Sequence, residues 1–207
     1  MRMPIYKPSE LRLFLDQLGI APRKGLSQNF LIDGNIIRKI VEASEVASDD
    51  AVLEIGPGPG SLTQALLETG ATLVAVEKDR VLAQALERLS PTSEKLKVFC
   101  DDIMTFPLEK EIPKVLQKGQ KAKVIANLPY HLTTPIIAHL IQMRDLFSSL
   151  TVMVQEEVAR RFTAIPGTAE YSSFTIFLRF YSTPHYAFTV SRNCFYPSPK
   201  VNSAVVV

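Results

Sequence analysis

The pattern of hydrophobic and polar positions changes character near residue 51. Before it, apolar side chains recur at helical spacing over residues 8–18 and 35–46, with Ser9 and Asp33 placed to cap the two helices. From residue 51 onward, short β-branched runs alternate with amphipathic stretches. Strands are predicted at 51–55, 73–77, 97–100, 123–127 and 150–154, each apolar enough for burial on both faces. Helices are predicted between them at 61–68, 81–89 and 134–144, while 105–122 is less regular. A repeating strand-helix order requires crossover connections and so predicts a parallel sheet. Two further helices, 156–163 and 172–181, precede two late strands, 186–190 and 203–207, joined by a proline-bearing loop. The fold class is therefore α/β, a mostly parallel sheet with helices on both faces. The pattern divides the chain into an N-terminal helical segment, 1–50, and an α/β core, 51–207. Val207 falls inside an apolar strand, so a further C-terminal segment is expected.

Composition excludes several classes. The 207 residues suffice for one substantial core, and 46% hydrophobic with 21% charged residues is ordinary for a globular protein. No apolar run reaches the length of a membrane span, and Glu10, Arg12 and Asp16 interrupt any secretory signal, so the chain reads as cytoplasmic. Cys100 and Cys194 lack disulfide or zinc spacing and read as small buried hydrophobes. His131, His139 and His185 lack the spacing of metal ligands, and no metal is expected. The net charge of +2 is unevenly spread: residues 1–40 carry +4, 41–104 carry −7 and 105–207 carry +5. Basic flanks around an acidic middle suit a polyanion laid across the edges of a protein whose centre holds something cationic.

The chemistry concentrates at strand ends. Val52-Leu53-Glu54-Ile55-Gly56-Pro57-Gly58-Pro59-Gly60-Ser61 runs from a buried strand through a glycine turn into a helix. Glycines there admit close approach of a nucleotide-like ligand at the carboxyl end of the first core strand. The spacing is G-x-G-x-G, with Ser61 where a dinucleotide loop places its third glycine, so a pyrophosphate cradle is disfavoured. Glu77 ends the second core strand, where an acid accepts from ribose hydroxyls, and Asp102 follows the third, where it can accept from an adenine amino group. These positions describe an adenosine site without a phosphate site. After the fourth core strand comes Asn127-Leu128-Pro129-Tyr130. The Asn127 amide oxygen and the Leu128 carbonyl offer two acceptors for the N–H groups of an exocyclic amine, and Tyr130 offers a ring to stack on the base. Taken alone, N-x-P-Y also serves as a structural strand-to-loop turn.

Together these motifs resemble class I S-adenosylmethionine-dependent N6-adenine methyltransferases, which are Rossmann-like. The whole chain is similar to the small-subunit ribosomal RNA adenine dimethyltransferases, the KsgA type. Besides the glycine turn, Glu77, Asp102 and the 127–130 motif, the resemblance rests on Lys24-Gly25-Leu26-Ser27-Gln28-Asn29-Phe30-Leu31, on Met153-Val154-Gln155-Glu156-Glu157-Val158 and on Phe195-Tyr196-Pro197-Ser198-Pro199-Lys200-Val201. It implies S-adenosylmethionine as cofactor, with Gln28, Asn29, Leu31, Gly56, Gly58, Glu77, Asp102 and Asn127 at its pocket. It implies that Asn127, Leu128, Tyr130 and Phe195 handle the target adenine, Tyr130 and Phe195 as a sandwich. The expected partner is small-subunit ribosomal RNA or a pre-30S particle, met by a monomer. Two departures stand out: Leu26-Ser27 precedes Gln28 where the family often has a shorter glycine-containing approach, and the family's C-terminal helical domain is absent. Related large-subunit enzymes conferring antibiotic resistance, and a non-catalytic assembly factor on the same fold, are the alternatives. Glu156 and Glu157 stand four residues before Arg160 and Arg161, a solvated helical pattern whose arginines could instead touch RNA phosphates. Adjacent Asp101 and Asp102 are expected to point to opposite faces.

Overall fold

A computed structural model describes residues 5–26, 28–90 and 94–207; Ser27, one of the residues singled out above, lies outside them. In chain order the elements are α1 (Pro8–Gln17), β1 (Phe30–Leu31), α2 (Gly34–Ala43), β2 (Ala51–Ile55), α3 (Ser61–Glu68), β3 (Thr72–Glu77), α4 (Arg80–Leu86), β4 (Leu96–Cys100), α5 (Leu108–Glu111) and β5 (Ala122–Asn127). There follow α6 (Thr133–Ile141), β6 (Phe147–Gln155), α7 (Glu156–Thr163), α8 (Ser173–Tyr181), β7 (Tyr186–Val190), β8 (Phe195–Tyr196) and β9 (Ser203–Val206).

Seven strands form one sheet in the order β4-β3-β2-β5-β6-β9-β7. The first five are parallel, and β9 runs antiparallel to both β6 and β7. Alternation along each strand builds two cores. Leu53, Ile55, Val74, Val76, Val124 and Ala126 pack with α6, α7 and α8 through Ile136, Leu140, Phe162 and Leu178. Val52, Leu73, Ala75 and Ile125 pack on the other face with α2, α3 and α4 through Ile37, Ile40, Leu66 and Leu86. Helices thus cover both faces, which is why the central strands read as continuous apolar runs. The N-terminal segment is fastened to this body, since α2 shares the second core and α1 packs Leu11 and Leu15 against Phe30 and Leu82.

Several expectations need correction. Pro8 opens α1 and Lys7 precedes it without a side-chain cap, so Ser9 lies inside the helix; Asp33 does cap α2, accepting from the backbone N–H groups of Asn35 and Ile36. The strand β4 is at the sheet edge, and only its first residue is buried, so it is not covered on both faces. For the same reason Cys100 at its end is exposed, and Cys194 is only half-buried. The predicted 81–89 helix tightens into a 3-10 turn after Leu86, and the 134–144 helix stops at Ile141. The two-residue pair β1 and β8 was not anticipated, because two residues carry no periodicity. Among the described residues no helix is long and apolar enough to cross a membrane.

Candidate active site

The chain adds β3 and β4 on one side of β2 and then returns to place β5 and β6 on the other. This reversal opens a crevice at the carboxyl ends of β2 and β5, the place where open α/β sheets receive ligands. A cleft of about 900 Å³, including its open mouth, lies there. Gln28, Asn29, Gly56, Gly58, Glu77, Asp102, Asn127, Leu128 and Tyr130 all line it. Leu31 and Phe195 do not.

The glycine turn divides its labour. A Cβ on Gly60 would stand 2.7 Å from side-chain carbons of Leu86 and Leu89, and one on Gly58 would stand 3.0 Å from the Phe30 ring. Those two glycines also hold left-handed backbone, at φ 56° for Gly58 and 90° for Gly60, so conformation and the protein's own packing together favour glycine there. Gly56, at φ 62°, would place a Cβ in open space, so it leaves room for a ligand against the backbone.

Glu77 is buried, 6% exposed, and its carboxylate accepts from the backbone N–H of Gly58 (2.9 Å) and of Asp79 (2.8 Å). Burial raises its pKa above the ordinary carboxylate range, and the two backbone donors partly offset this. Each oxygen retains acceptor capacity toward the cleft. Asp102 is held by Lys78 Nζ at 2.8 Å and by the backbone N–H of Met104 at 3.0 Å, which together lower its pKa. Asp101 lines the cleft beside Asp102, contrary to the opposite-face expectation, because both follow the end of β4 and have left the strand pleat.

Asn127 ends β5, and its side-chain Nδ2 donates to the Asn29 carbonyl at 3.1 Å. That bond fixes the amide plane and leaves the oxygen as the acceptor end. The Leu128 side chain is 1% exposed, and its N–H donates to the Met153 carbonyl, so the following turn is anchored on β6. Tyr130 opens a 3-10 turn after Pro129, and its hydroxyl bonds Ser203 Oγ at 2.7 Å. Burial raises the Tyr130 pKa, so the ring stays neutral.

Phe195 and Leu31 face each other across the β1–β8 pair, 3% and 6% exposed, inside the second core with Met153 and Val205. The expected sandwich of Tyr130 and Phe195 is therefore not assembled, since strand pairing turns the Phe195 ring into the core. Leu31 is buried too and lines a smaller recess beside the cleft, with Gly56 and Asn127. The arginine pattern on α7 splits: Arg160 pairs with Glu156 at 2.6 Å, while Arg161 turns inward to Thr134. Among the described residues no group of three His, Cys, Asp or Glu could hold a metal ion.

Some lining residues were missed. Phe30, Lys78, Ile103 and His131 also line the cleft. Glu54, an acid inside an otherwise apolar strand, is 1% exposed at the edge of a recess beneath the glycine turn, with Oε2 buried and unpartnered. A lone acid in a buried strand was the available signal.

A doubly wound sheet with an open glycine at its switch point, an acid at the end of β3 and an amide acceptor at the end of β5 defines a Rossmann-like, S-adenosylmethionine-dependent methyltransferase. Residues 20–207 match the family described as Ribosomal RNA adenine dimethylase. The chain is 71% identical over 205 residues to the ribosomal RNA small subunit methyltransferase A of Protochlamydia amoebophila (strain UWE25), covering 99% of this chain and 72% of that protein. Among solved structures it is similar to a dimethyladenosine transferase from Plasmodium falciparum, with TM-score 0.73 and 31% identity over 86% of this chain and 62% of that one. The 23S rRNA methyltransferase ErmE gives TM-score 0.73 at 28% identity, over 86% of this chain and 68% of that one. The chain belongs to the ribosomal RNA adenine dimethylase family.

Proposed function

We propose that this chain dimethylates N6 of two adjacent adenines near the 3′ end of small-subunit ribosomal RNA, acting as a cytoplasmic monomer on the RNA or a pre-30S particle. The fold does not separate this from the large-subunit reading, since the 23S rRNA methyltransferase ErmE matches with TM-score 0.73. The 71% identity to a small-subunit enzyme favours it.

The observation that carries the reading is the tethered Asn127 amide. An adenine amine delocalises its lone pair into the ring and is a poor nucleophile. With its N–H groups held by the Asn127 oxygen and the Leu128 carbonyl, the nitrogen is favoured as a tetrahedral centre with its lone pair directed away from those acceptors. Tyr130, kept neutral, stacks on the base and is no proton acceptor. S-adenosylmethionine supplies, when bound, an electrophilic methyl on a positively charged sulfur. The residues present suit it: Gly56 leaves space for close approach, Glu77 has acceptors for ribose hydroxyls, and Asp102 lines the same cleft, where it would accept from the adenine amino group. We assign the stacking role to Tyr130 and leave Phe195 to the core.

Incubating the protein with unmethylated small ribosomal subunits and S-adenosylmethionine, then mapping adenines by mass spectrometry, tests the reading. Two adjacent N6,N6-dimethyladenines near the RNA 3′ end are expected. Methylation confined to large-subunit RNA would overturn it.

A further inference from the structure

The residue that binds the cleft walls together is not among those that line it. Asp79 sits two residues past Glu77, with its side chain only 2% exposed. Its Oδ1 accepts from the backbone N–H groups of Val81 (3.0 Å) and Leu82 (3.4 Å), capping α4. That duty uses one oxygen and accounts for many aspartates at helix starts. Here the second oxygen is also committed: Oδ2 meets the Arg23 guanidinium at 3.3 Å and the Gln28 side-chain amide at 3.4 Å. Meanwhile the backbone N–H of Asp79 donates to Glu77 Oε1 at 2.8 Å.

The partners on the N-terminal side close on each other. The Arg23 N–H donates to Gln28 Oε1 at 2.8 Å, and the Arg23 carbonyl accepts from the N–H groups of Leu26 (3.1 Å) and Gln28 (3.4 Å). This turn carries Gly25, Leu26 and Gln28 to the cleft and leads into Asn29, whose carbonyl holds Asn127. One buried residue therefore ties the wall formed by the N-terminal segment, through its carboxylate, to the acid that would meet the ribose, through its backbone N–H. Gln28 has both ends of its amide engaged in that tie. A buried carboxylate deprived of its cation keeps the desolvation cost without the offsetting attraction, so removing Arg23 weakens the tie.

We propose that Asp79 is a positioning residue for the cofactor site, with Arg23 as its counter-charge, acting through Glu77 and through the bonds that Arg23 and Gln28 make. The proposal rests on the reading that this cleft takes S-adenosylmethionine. Arg23 is more than half exposed, so its removal tests the tie with little risk to folding.

Calorimetric titration with S-adenosylmethionine comes first on the parent protein; absence of binding there defeats the functional reading and this proposal with it. With parent binding established, Arg23→Ala should raise the dissociation constant about tenfold, and Arg23→Lys should recover most of the loss. Asp79→Asn, which keeps a cap oxygen, should show a similar rise, and adding Arg23→Ala to it should cost little more. In Arg23→Ala the amides of Leu26 and Gln28 should exchange hydrogen faster. In methylation assays the loss should fall on KM for the cofactor, with turnover recovering as cofactor is raised. Affinity within twofold of the parent in Arg23→Ala, with unchanged exchange at Leu26 and Gln28, overturns the proposal. So does a loss of turnover that saturating cofactor leaves in place. Should Asp79→Asn fail to fold, the two Arg23 variants still decide the matter.

Discussion

The side-chain amide of Asn127 donates to the backbone carbonyl of Asn29 at 3.1 Å, joining residues 98 positions apart. One bond thus sets both the orientation of the acceptor at the end of β5 and the seat of the N-terminal segment over the cleft. Asn127→Ala removes an acceptor that is useful mainly while the amine is becoming tetrahedral. Turnover should fall about a hundredfold or more, the scale for losing one preorganised transition-state hydrogen bond. Loss of the tether to Asn29 should add a smaller weakening of cofactor binding. Single-turnover methylation and calorimetry separate the two; wild-type turnover would remove Asn127 from the chemistry.

Glu77 holds its carboxyl in a buried site, and that sets a pH signature. Its pKa is raised, so lowering the pH protonates it earlier than an exposed glutamate. A protonated carboxyl accepts ribose hydroxyls less well. Affinity for S-adenosylmethionine should therefore weaken from neutral pH toward the acid side. Glu77→Gln should weaken binding at neutral pH by about 1 to 3 kcal/mol, the cost of imperfectly paired polar groups, and should flatten the pH dependence. Titrations at several pH values check this, and parallel curves for parent and variant would contradict it.

The two aromatic residues should behave differently. Phe195 is 3% exposed in the second core, so Phe195→Ala should destabilise the fold by about 3 to 5 kcal/mol, through lost contacts and a cavity. Tyr130 lines the cleft with only its hydroxyl tied to Ser203. Tyr130→Ala should instead weaken capture of the base by about 1 to 3 kcal/mol of stacking. Thermal denaturation beside RNA-binding curves distinguishes a core ring from a cleft ring. Equal stability of the parent and Phe195→Ala would return Phe195 to the candidate site.

The parallel strands were legible because burial on both faces leaves uninterrupted apolar runs, and Ile55, Glu77 and Asn127 mark where β2, β3 and β5 end. Strand ends in such a sheet converge on one crevice, so the glycine turn, Glu77, Asp102 and Asn127 could be brought together from sequence. What escaped depends on contacts between distant segments. Nothing local reveals that Phe195 pairs with Leu31 and is drawn into the core, or that Gly58 is small because Phe30 lies against it. Ser9 misled because proline, not a hydroxyl, starts α1. Nothing local singles out Asp79 either, since its second set of partners lies more than fifty positions upstream.

Glu54 gives the protein a stability profile that runs against the usual carboxylate behaviour. Its side chain lies among α3 and the glycine turn, with Oε2 buried; burial pushes its pKa up to about 8, the neighbouring Thr63 hydroxyl offsets part of the rise, and the negative charge of Glu77 adds to it. In the unfolded chain the group titrates near its ordinary value of 4.5. Between those limits the folded form binds the proton that the unfolded form has lost, so stability falls as pH rises from about 4.5 to about 8, and the loss is complete above that. The size is on the order of several kcal/mol, since each pKa unit corresponds to about 1.4 kcal/mol. Glu77, raised in the same sense, contributes to the same slope, whereas Asp102 and Glu111, whose pKa values are lowered, act below this window. Glu54→Gln keeps the shape of the protonated acid and cannot ionise. It should match the parent near pH 5, exceed it at pH 8 and above, and retain only the shallower slope due to Glu77. Urea denaturation of both proteins in the absence of cofactor, at intervals from pH 5 to pH 9, measures this directly; slopes of equal steepness would show that the buried carboxyl of Glu54 is not its source.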